Sequence, residues 1–102
     1  MYGICTRDSF GKVNSYKEKE SIHYNAYSGN IWENGTSKKG GMSIYDGQTV
    51  SIDVNLTNSK ISWFVDSNKL ARTTIPESMQ KKELFLCLQF YSIDDELELL
   101  LF

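Results

Sequence analysis

Residues 49–65 carry the clearest pattern of hydrophobic and polar positions in the chain. Val50, Ile52 and Val54 alternate with polar residues, and the alternation resumes from Ile61 onward, after a polar turn. Side chains that alternate with a period of two belong to a strand with one buried face. The pattern therefore predicts two antiparallel strands joined by a short turn.

Shorter apolar stretches predict further strands, at residues 2–6, 22–27, 30–33, 69–74 and 84–91. Both faces of the stretch 84–91 are largely apolar, which predicts a central strand covered on each side. The final segment, 93–102, fits helical and strand spacing equally well, and its all-β surroundings favour a strand. The chain is thus predicted to be an all-β protein, an antiparallel β-sandwich.

Two polar segments interrupt the predicted strands. Residues 7–20 show no periodicity and are predicted to form a long loop, a length that usually accompanies a function. Residues 34–41 form a second polar, glycine-rich segment, and the run 38–41 within it is predicted to be a flexible turn. Pro76 predicts a single helical turn over residues 77–82, because proline is tolerated at the start of a helix.

Length and charge restrict the possible classes of function. The 102 residues are predicted to form one domain, 1–102, and 11 basic against 13 acidic residues give a net charge of −2. Such a chain has no general electrostatic attraction for nucleic acid or an anionic membrane, so neither is expected as a partner. No apolar run resembles a secretory signal or a membrane span, which favours a cytoplasmic location.

The cysteines and the single histidine do not form a recognisable site. Cys5 and Cys87 lie in apolar stretches, and we favour buried free thiols, with a disulfide open if their strands are neighbours. One histidine, His23, leaves a zinc site short of ligands, so a structural or surface role is favoured. The glycosylation motifs at Asn34 and Asn55 are interpreted as chance occurrences.

Two charged runs of the sequence are candidates for ion sites. The carboxylates at residues 94–98 lack the glycine that calcium loops use, which favours a solvated turn. The lysine-glycine run at residues 38–41 lacks the spacing and final hydroxyl of a phosphate-binding loop. The sequence thus predicts no catalytic, metal or cofactor site, and the protein is not expected to be an enzyme.

The order of motifs along the chain resembles the SPRY (B30.2-like) domain. The resemblance covers nearly the whole chain and rests on these stretches: Gly3-Ile4-Cys5, Asn30-Ile31-Trp32-Glu33-Asn34-Gly35, Asp46-Gly47, Lys60-Ile61-Ser62-Trp63-Phe64-Val65, Ile75-Pro76, Glu83-Leu84-Phe85 and Glu96-Leu97-Glu98-Leu99. It implies a sandwich of two antiparallel sheets that acts as a non-catalytic adaptor and binds a peptide or protein through loops at one end.

The resemblance also implies which residues bind the partner. They lie in the loop after the first strand and in the turn before the last one: Asp8, Phe10, Tyr16, Tyr91, Ser92, Ile93 and Asp94. The chain departs from the family because the usual opening strands do not precede Met1. Either the chain is a fragment, or another segment or chain supplies the missing strands, or the fold is reduced.

Carbohydrate binding is the alternative function, because lectin-like folds share this architecture. Trp32, Trp63 and the tyrosines could stack on sugars. Exposed aromatic residues on a concave sheet face would favour a sugar, whereas exposed aromatic residues in the end loops would favour a peptide. Burial of both tryptophans would remove the main support for the sugar.

Overall fold

The fold is all-β, and the described residues form two antiparallel sheets and one helical turn. The computed structural model describes residues 1–9 and 19–88. Its elements, in chain order, are β1 (Tyr2–Thr6), β2 (Ser21–Tyr24), β3 (Asn30–Glu33), β4 (Thr36–Lys39), β5 (Val50–Asn55), β6 (Lys60–Val65), β7 (Asn68–Thr74), α1 (Glu77–Gln80) and β8 (Leu84–Leu88). The large sheet has the order β4-β3-β2-β1-β8, and the small sheet has the order β5-β6-β7.

The small sheet confirms the strands predicted from the alternating pattern. In β5, Val50, Ile52 and Val54 are half-buried, while the residues between them are exposed. β5 and β6 pair in antiparallel register, with Ile52 opposite Trp63. The period of two therefore reports a strand with one face turned towards the core, as the alternation predicted.

The core lies between the two sheets and is closed by the segment around α1. Its fully or nearly fully buried apolar members are Ile4, Ile22, Tyr24, Ile31, Ile61, Trp63, Ile75 and Met79. The Trp63 ring lies 5.6 Å from the Tyr24 ring, and its Nε1–H donates a hydrogen bond of 2.9 Å to the carbonyl oxygen of Tyr2. Trp63 on the small sheet is thus joined to the large sheet by packing and by a satisfied polar contact.

The prediction that residues 38–41 form a flexible turn was wrong for Lys38 and Lys39, because both lie on β4. Asn34 and Gly35, with φ of 51° and 82°, form a two-residue turn of the kind that joins antiparallel strands. All four residues of β4 are exposed, so no buried face gives the strand an alternating pattern. Lys38 and Lys39 therefore lie on a strand at the end of the sheet, where lysines discourage further pairing.

The cysteines form a disulfide, which corrects the expectation of free thiols. β1 and β8 are neighbours, Cys87 lies opposite Gly3 in their register, and the Cα atoms of Cys5 and Cys87 are 6.5 Å apart. Both cysteines are buried. The sequence allowed this pairing only if the two strands were adjacent, and 82 positions separate the cysteines along the chain.

The remaining predictions were met in part. β2 ends at Tyr24, β7 begins at Asn68, and the helical turn ends at Gln80 rather than at residue 82. β8 was expected to be a central strand, but within the described residues it is the end strand of the large sheet, and Leu86 is 47% exposed. The predicted strand at 93–102 and most of the loop at 7–20 lie outside the described residues.

Candidate functional site

Of the partner-binding residues implied by the family resemblance, Asp8 lies within the described residues. It is exposed on the turn that follows β1. The others lie outside the described ranges: Phe10, Tyr16, Tyr91, Ser92, Ile93 and Asp94. The last described residue before the predicted loop is Ser9, which follows the Thr6 end of β1. The last described residue before the predicted turn is Leu88, which pairs with Tyr2 at the other end of β1. The grouping of these residues into one surface stays a prediction.

A second group of residues is exposed on two loops at the Tyr24 end of the large sheet. Tyr27 is 91% exposed, and Met42 and Tyr45 are each 71% exposed. Tyr27 belongs to the connection between β2 and β3, residues 25–29, and the other two belong to the connection between β4 and β5, residues 40–49. We call these two connections the loop pair. Exposed large apolar side chains on one pair of loops are typical of an interaction surface.

Hydrogen bonds join the two connections of the loop pair along their length. The Gly41 amide donates to the Gly29 carbonyl over 2.8 Å, and the Ile44 amide donates to the Ala26 carbonyl over 2.7 Å. The Ser43 hydroxyl donates to the Tyr27 carbonyl over 2.6 Å. These bonds fix the backbone from which Tyr27, Met42 and Tyr45 project, and a fixed backbone lowers the entropy lost when a partner binds.

The core also holds the loop pair in place, through Tyr24. This ring is buried against Trp63, and its hydroxyl donates a 2.6 Å hydrogen bond to the carbonyl oxygen of Met42. Burial raises the pKa of the Tyr24 phenol, so the hydroxyl keeps its proton and its role as donor well above neutral pH. The backbone of Met42 is therefore held by a core side chain, while the side chain of Met42 is exposed.

Glycine is required where the loop pair passes close to other backbone. Gly29 has a φ of 77°, and a Cβ there would lie 2.3 Å from the carbonyl oxygen of Gly41. A Cβ at Gly41 would lie 2.7 Å from the carbonyl oxygen of Leu70 on β7. Such distances are shorter than atoms tolerate, so the sequence has glycine where the two loops and β7 approach one another.

A groove of about 430 Å³ lies between the loop pair and the turn that joins β6 to β7. Its lining combines apolar side chains with polar and charged ones: Gly41, Met42, Gln48, Val65, Asp66, Asn68, Lys69 and Leu70. Asp66 and Ser67 form the β6–β7 turn with positive φ, and the Asp66 carboxylate accepts a 2.9 Å hydrogen bond from the Thr49 amide. The groove is thus bordered by the loop pair and the β6–β7 turn, which are joined by this hydrogen bond.

In the described part of the chain, no group of three or more His, Cys, Asp or Glu residues is arranged to hold a metal ion. His23 is fully buried, neither ring nitrogen has a hydrogen-bond partner, and burial lowers its pKa to about 4. A neutral, enclosed imidazole packs as a core side chain, as expected for a structural histidine.

Lys38 is engaged within the fold. Its Nζ donates a 2.8 Å hydrogen bond to the hydroxyl of Thr73 on β7, and it lies 3.9 Å from a carboxylate oxygen of Glu33. This cluster joins β3 and β4 of the large sheet to β7 of the small sheet. Lys38 therefore links the two sheets, and its charge is paired within the fold.

The aromatic residues that could stack on sugars are divided between core and surface. Trp63 is fully buried, and Trp32 on β3 is half-buried. Trp63 is therefore not available to stack on a sugar. Among the described residues, the exposed tyrosines are Tyr27 and Tyr45, and both lie in the loop pair and not on a sheet face.

Sequence reasoning missed the loop pair as a site. Met42 and Tyr45 lie in a segment otherwise rich in Gly, Ser and Asp, where a large apolar residue has no evident place on a buried face. Tyr27 gave no such signal, because it was assigned to the predicted strand 22–27, whereas β2 ends at Tyr24. The missing information was that the two connections meet, and only the hydrogen bonds between them show this.

Among the described residues, no helix has the length and apolar character needed to cross a membrane. Comparisons with known proteins found no family model, no curated protein and no solved structure that matches this chain.

Proposed function

We propose that this protein is a non-catalytic interaction module that binds a peptide or protein surface through loops at one end of its sandwich. The main support for this proposal is that Tyr27, Met42 and Tyr45 are exposed on the hydrogen-bonded loop pair. Tyrosine and methionine are enriched at protein interfaces, where aromatic anchors supply much of the binding free energy. Burying these side chains against a partner removes apolar surface from water without disturbing the core.

The groove beside the loop pair suggests how such a partner is held. Met42, Val65 and Leu70 offer an apolar lining for one large side chain of the partner, while Asp66 and Lys69 offer charges of both signs. A short extended segment with a single apolar anchor and polar neighbours suits this arrangement. The polar border would then set orientation, and the apolar contacts would supply most of the affinity.

Membership of the SPRY (B30.2-like) group is part of the proposal. Its support is the order of motifs in the sequence, together with an all-β fold of two antiparallel sheets, which many unrelated functions share. The partner-binding residues implied by that resemblance belong to the proposal on the same footing, as does the supply of further strands by another segment or chain. The loop pair is a separate candidate that stands on exposure and geometry.

Carbohydrate binding has weaker support. It would depend chiefly on Trp32, which is half-buried, since Trp63 lies within the core.

The expected cytoplasmic location is also weakened, because the Cys5–Cys87 disulfide favours an oxidising compartment over the reducing cytosol.

The test is selection from a random peptide display library on the intact chain, followed by measurement of Kd by fluorescence anisotropy. The variant Tyr27→Ser/Met42→Ser/Tyr45→Ser is expected to bind the selected peptides at least tenfold more weakly. Leu56→Ser is the matched control, since Leu56 is 66% exposed on the β5–β6 turn, outside the loop pair. It is expected to bind like the wild type.

Two other variants separate the competing surfaces. Tyr16→Ala/Tyr91→Ala tests the residues implied by the family resemblance, and Trp32→Ala, measured on a glycan array, tests sugar binding. Equal affinity of the wild type and the triple serine variant would exclude the loop pair. Loss of peptide binding only in Tyr16→Ala/Tyr91→Ala would move the interaction to the other surface, and glycan binding that depends on Trp32 would replace the proposed function.

A further inference from the structure

The sulfur-containing residues of the chain differ widely in their exposure to water. The sequence has three methionines and two cysteines. Met79 is fully buried, and both Cys5 and Cys87 are buried and joined as a disulfide. Met1 is half-buried, whereas Met42 is 71% exposed. Met42 is thus the sulfur-containing residue most accessible to a reagent in solution.

The backbone around Met42 is held by hydrogen bonds, so the exposure of its side chain is a property of the fold. The Tyr24 hydroxyl donates to the Met42 carbonyl oxygen over 2.6 Å. On either side, the Gly41 and Ile44 amides donate to carbonyl oxygens of the other connection of the loop pair. The thioether therefore projects from a backbone that is anchored at three neighbouring residues.

Met42 also contributes to the apolar part of the groove beside the loop pair, together with Val65 and Leu70. A thioether is apolar and flexible, and it adapts its shape to a partner. A sulfoxide in the same place is polar, and burying its oxygen against an apolar side chain without a donor costs free energy. Oxidation of Met42 would therefore oppose the burial on which binding of a partner depends.

Met79 provides an internal reference for the reactivity of Met42. It is a fully buried member of the main hydrophobic cluster and lies on α1. A peroxide reaches such a sulfur atom when the surrounding structure opens, and open states of a packed core have low populations. The rate at Met79 is reduced by that population, whereas Met42 reacts from the native state.

We propose that Met42 is the site at which hydroperoxides modify the folded protein, and that its sulfoxide lowers the affinity of the loop pair for a partner. The site of oxidation follows from exposure and is independent of the proposed function. The loss of affinity rests on the proposed function, because it requires that the partner bury the Met42 side chain.

The oxidation transfers one oxygen atom and two electrons. The thioether sulfur of Met42 attacks the terminal oxygen of the hydroperoxide, and the S–O bond forms as the O–O bond breaks. The remaining oxygen takes up the proton and leaves as an alcohol, or as water when the reagent is hydrogen peroxide. Cys5 and Cys87 do not compete as thiols, because they are joined to each other.

Peptide mapping by mass spectrometry, after timed exposure of the intact protein to hydrogen peroxide, tests the site. Met42 is expected to react about tenfold faster than Met79, and faster than Met1, in the folded protein. In urea above the unfolding midpoint, Met42 and Met79 should react within about twofold of each other, because the fold no longer protects Met79. A rate at Met42 no higher than at Met79 in the folded protein would overturn the proposal.

The loss of affinity is tested by fluorescence anisotropy with a methionine-free peptide selected on the wild type, after catalase has removed the peroxide. Oxidation is expected to raise the Kd of the wild type about fivefold. Met79→Leu retains Met42 and should show the same rise. Met42→Leu has no sulfur at this position, so peroxide should change its Kd by less than about twofold.

Two outcomes separate this inference from the proposed function. An unchanged Kd of the wild type after complete oxidation of Met42 would overturn the inference and leave the proposed function intact. Equal Kd values for the wild type and Tyr27→Ser/Met42→Ser/Tyr45→Ser would exclude the proposed function and the loss of affinity with it. The oxidation rates, which are measured without any peptide, decide the modification site in either case.

Discussion

Trp63 and the loop pair show two opposite uses of large apolar side chains in one small protein. Trp63 is fully buried between the sheets and its indole nitrogen is satisfied, whereas Tyr27, Met42 and Tyr45 extend into solvent from hydrogen-bonded loops. Tyr24 links the two regions, because its ring contacts Trp63 and its hydroxyl bonds the Met42 carbonyl. The comparison separates residues that stabilise the fold from residues that are available to a partner.

The largest effect is expected at the buried side of this comparison. Trp63→Ala should lower the free energy of unfolding by about 3–5 kcal/mol, because it leaves a cavity between the sheets and removes the donor to the Tyr2 carbonyl. Urea denaturation followed by far-ultraviolet circular dichroism measures this change. A loss below about 1 kcal/mol would show that Trp63 is not the centre of the core.

Acid should also act on the buried part of the molecule, through His23. Burial lowers the pKa of His23 to about 4, so its neutral form stabilises the folded state fully above pH 6.5, and this contribution is lost as the pH falls towards 4. The loss amounts to about 3 kcal/mol by the linkage between pKa and stability.

Comparison of the wild type with His23→Leu isolates this term from the titration of carboxyl groups. The difference in unfolding free energy between the two proteins should change between pH 7 and pH 4, measured by urea denaturation at each pH. A constant difference over this range would indicate an imidazole that titrates normally and reaches solvent.

Gly41→Ala tests the junction between the core and the loop pair. The new methyl group would meet the Leu70 carbonyl and the Tyr24 hydroxyl, at 2.7 Å and 2.9 Å, and Gly41 itself is not at positive φ. We expect a loss of about 1–3 kcal/mol from overpacking, together with weaker peptide binding, because the Met42 carbonyl must shift. Thr57→Ala on an exposed turn is the control, and wild-type stability of Gly41→Ala would contradict the close approach.

The smallest effect on stability is expected at the exposed side. Tyr27→Ser/Met42→Ser/Tyr45→Ser should change the free energy of unfolding by less than about 0.5 kcal/mol for each substitution, since the three side chains are at least 71% exposed. The same denaturation measurement checks this, and its combination with tenfold weaker peptide binding would separate function from fold. A loss comparable with that of Trp63→Ala would place these residues in the scaffold instead.

The sequence was sufficient for the small sheet and insufficient for β4 and the disulfide. Val50, Ile52 and Val54 lie on a half-buried face, and this burial is visible in the sequence as apolar residues at every second position. β4 has no buried face and therefore no alternating pattern, although the Asn34-Gly35 pair within this polar, glycine-rich segment is a strong hairpin signal.

The candidate site was less predictable than the fold. The residues implied by the family resemblance, Asp8 among them, remain predictions, and the loop pair was not anticipated. Tyr27 and Tyr45 look in the sequence like any other aromatic residues of a β protein. Their exposure depends on how two connections separated by a hairpin come together, which no single segment specifies.

By itself, the sequence determined that the chain builds antiparallel strands, that Trp63 lies on a buried face, and that the polar segments turn the chain. These properties are local, because alternation and turn chemistry act over a few residues. Only the tertiary structure decided that Cys5 meets Cys87, that Gly41 passes against Leu70, and which large apolar side chains remain in water. Those outcomes depend on contacts between residues that are distant in the chain, because strand pairing and side-chain packing form only when the whole chain folds.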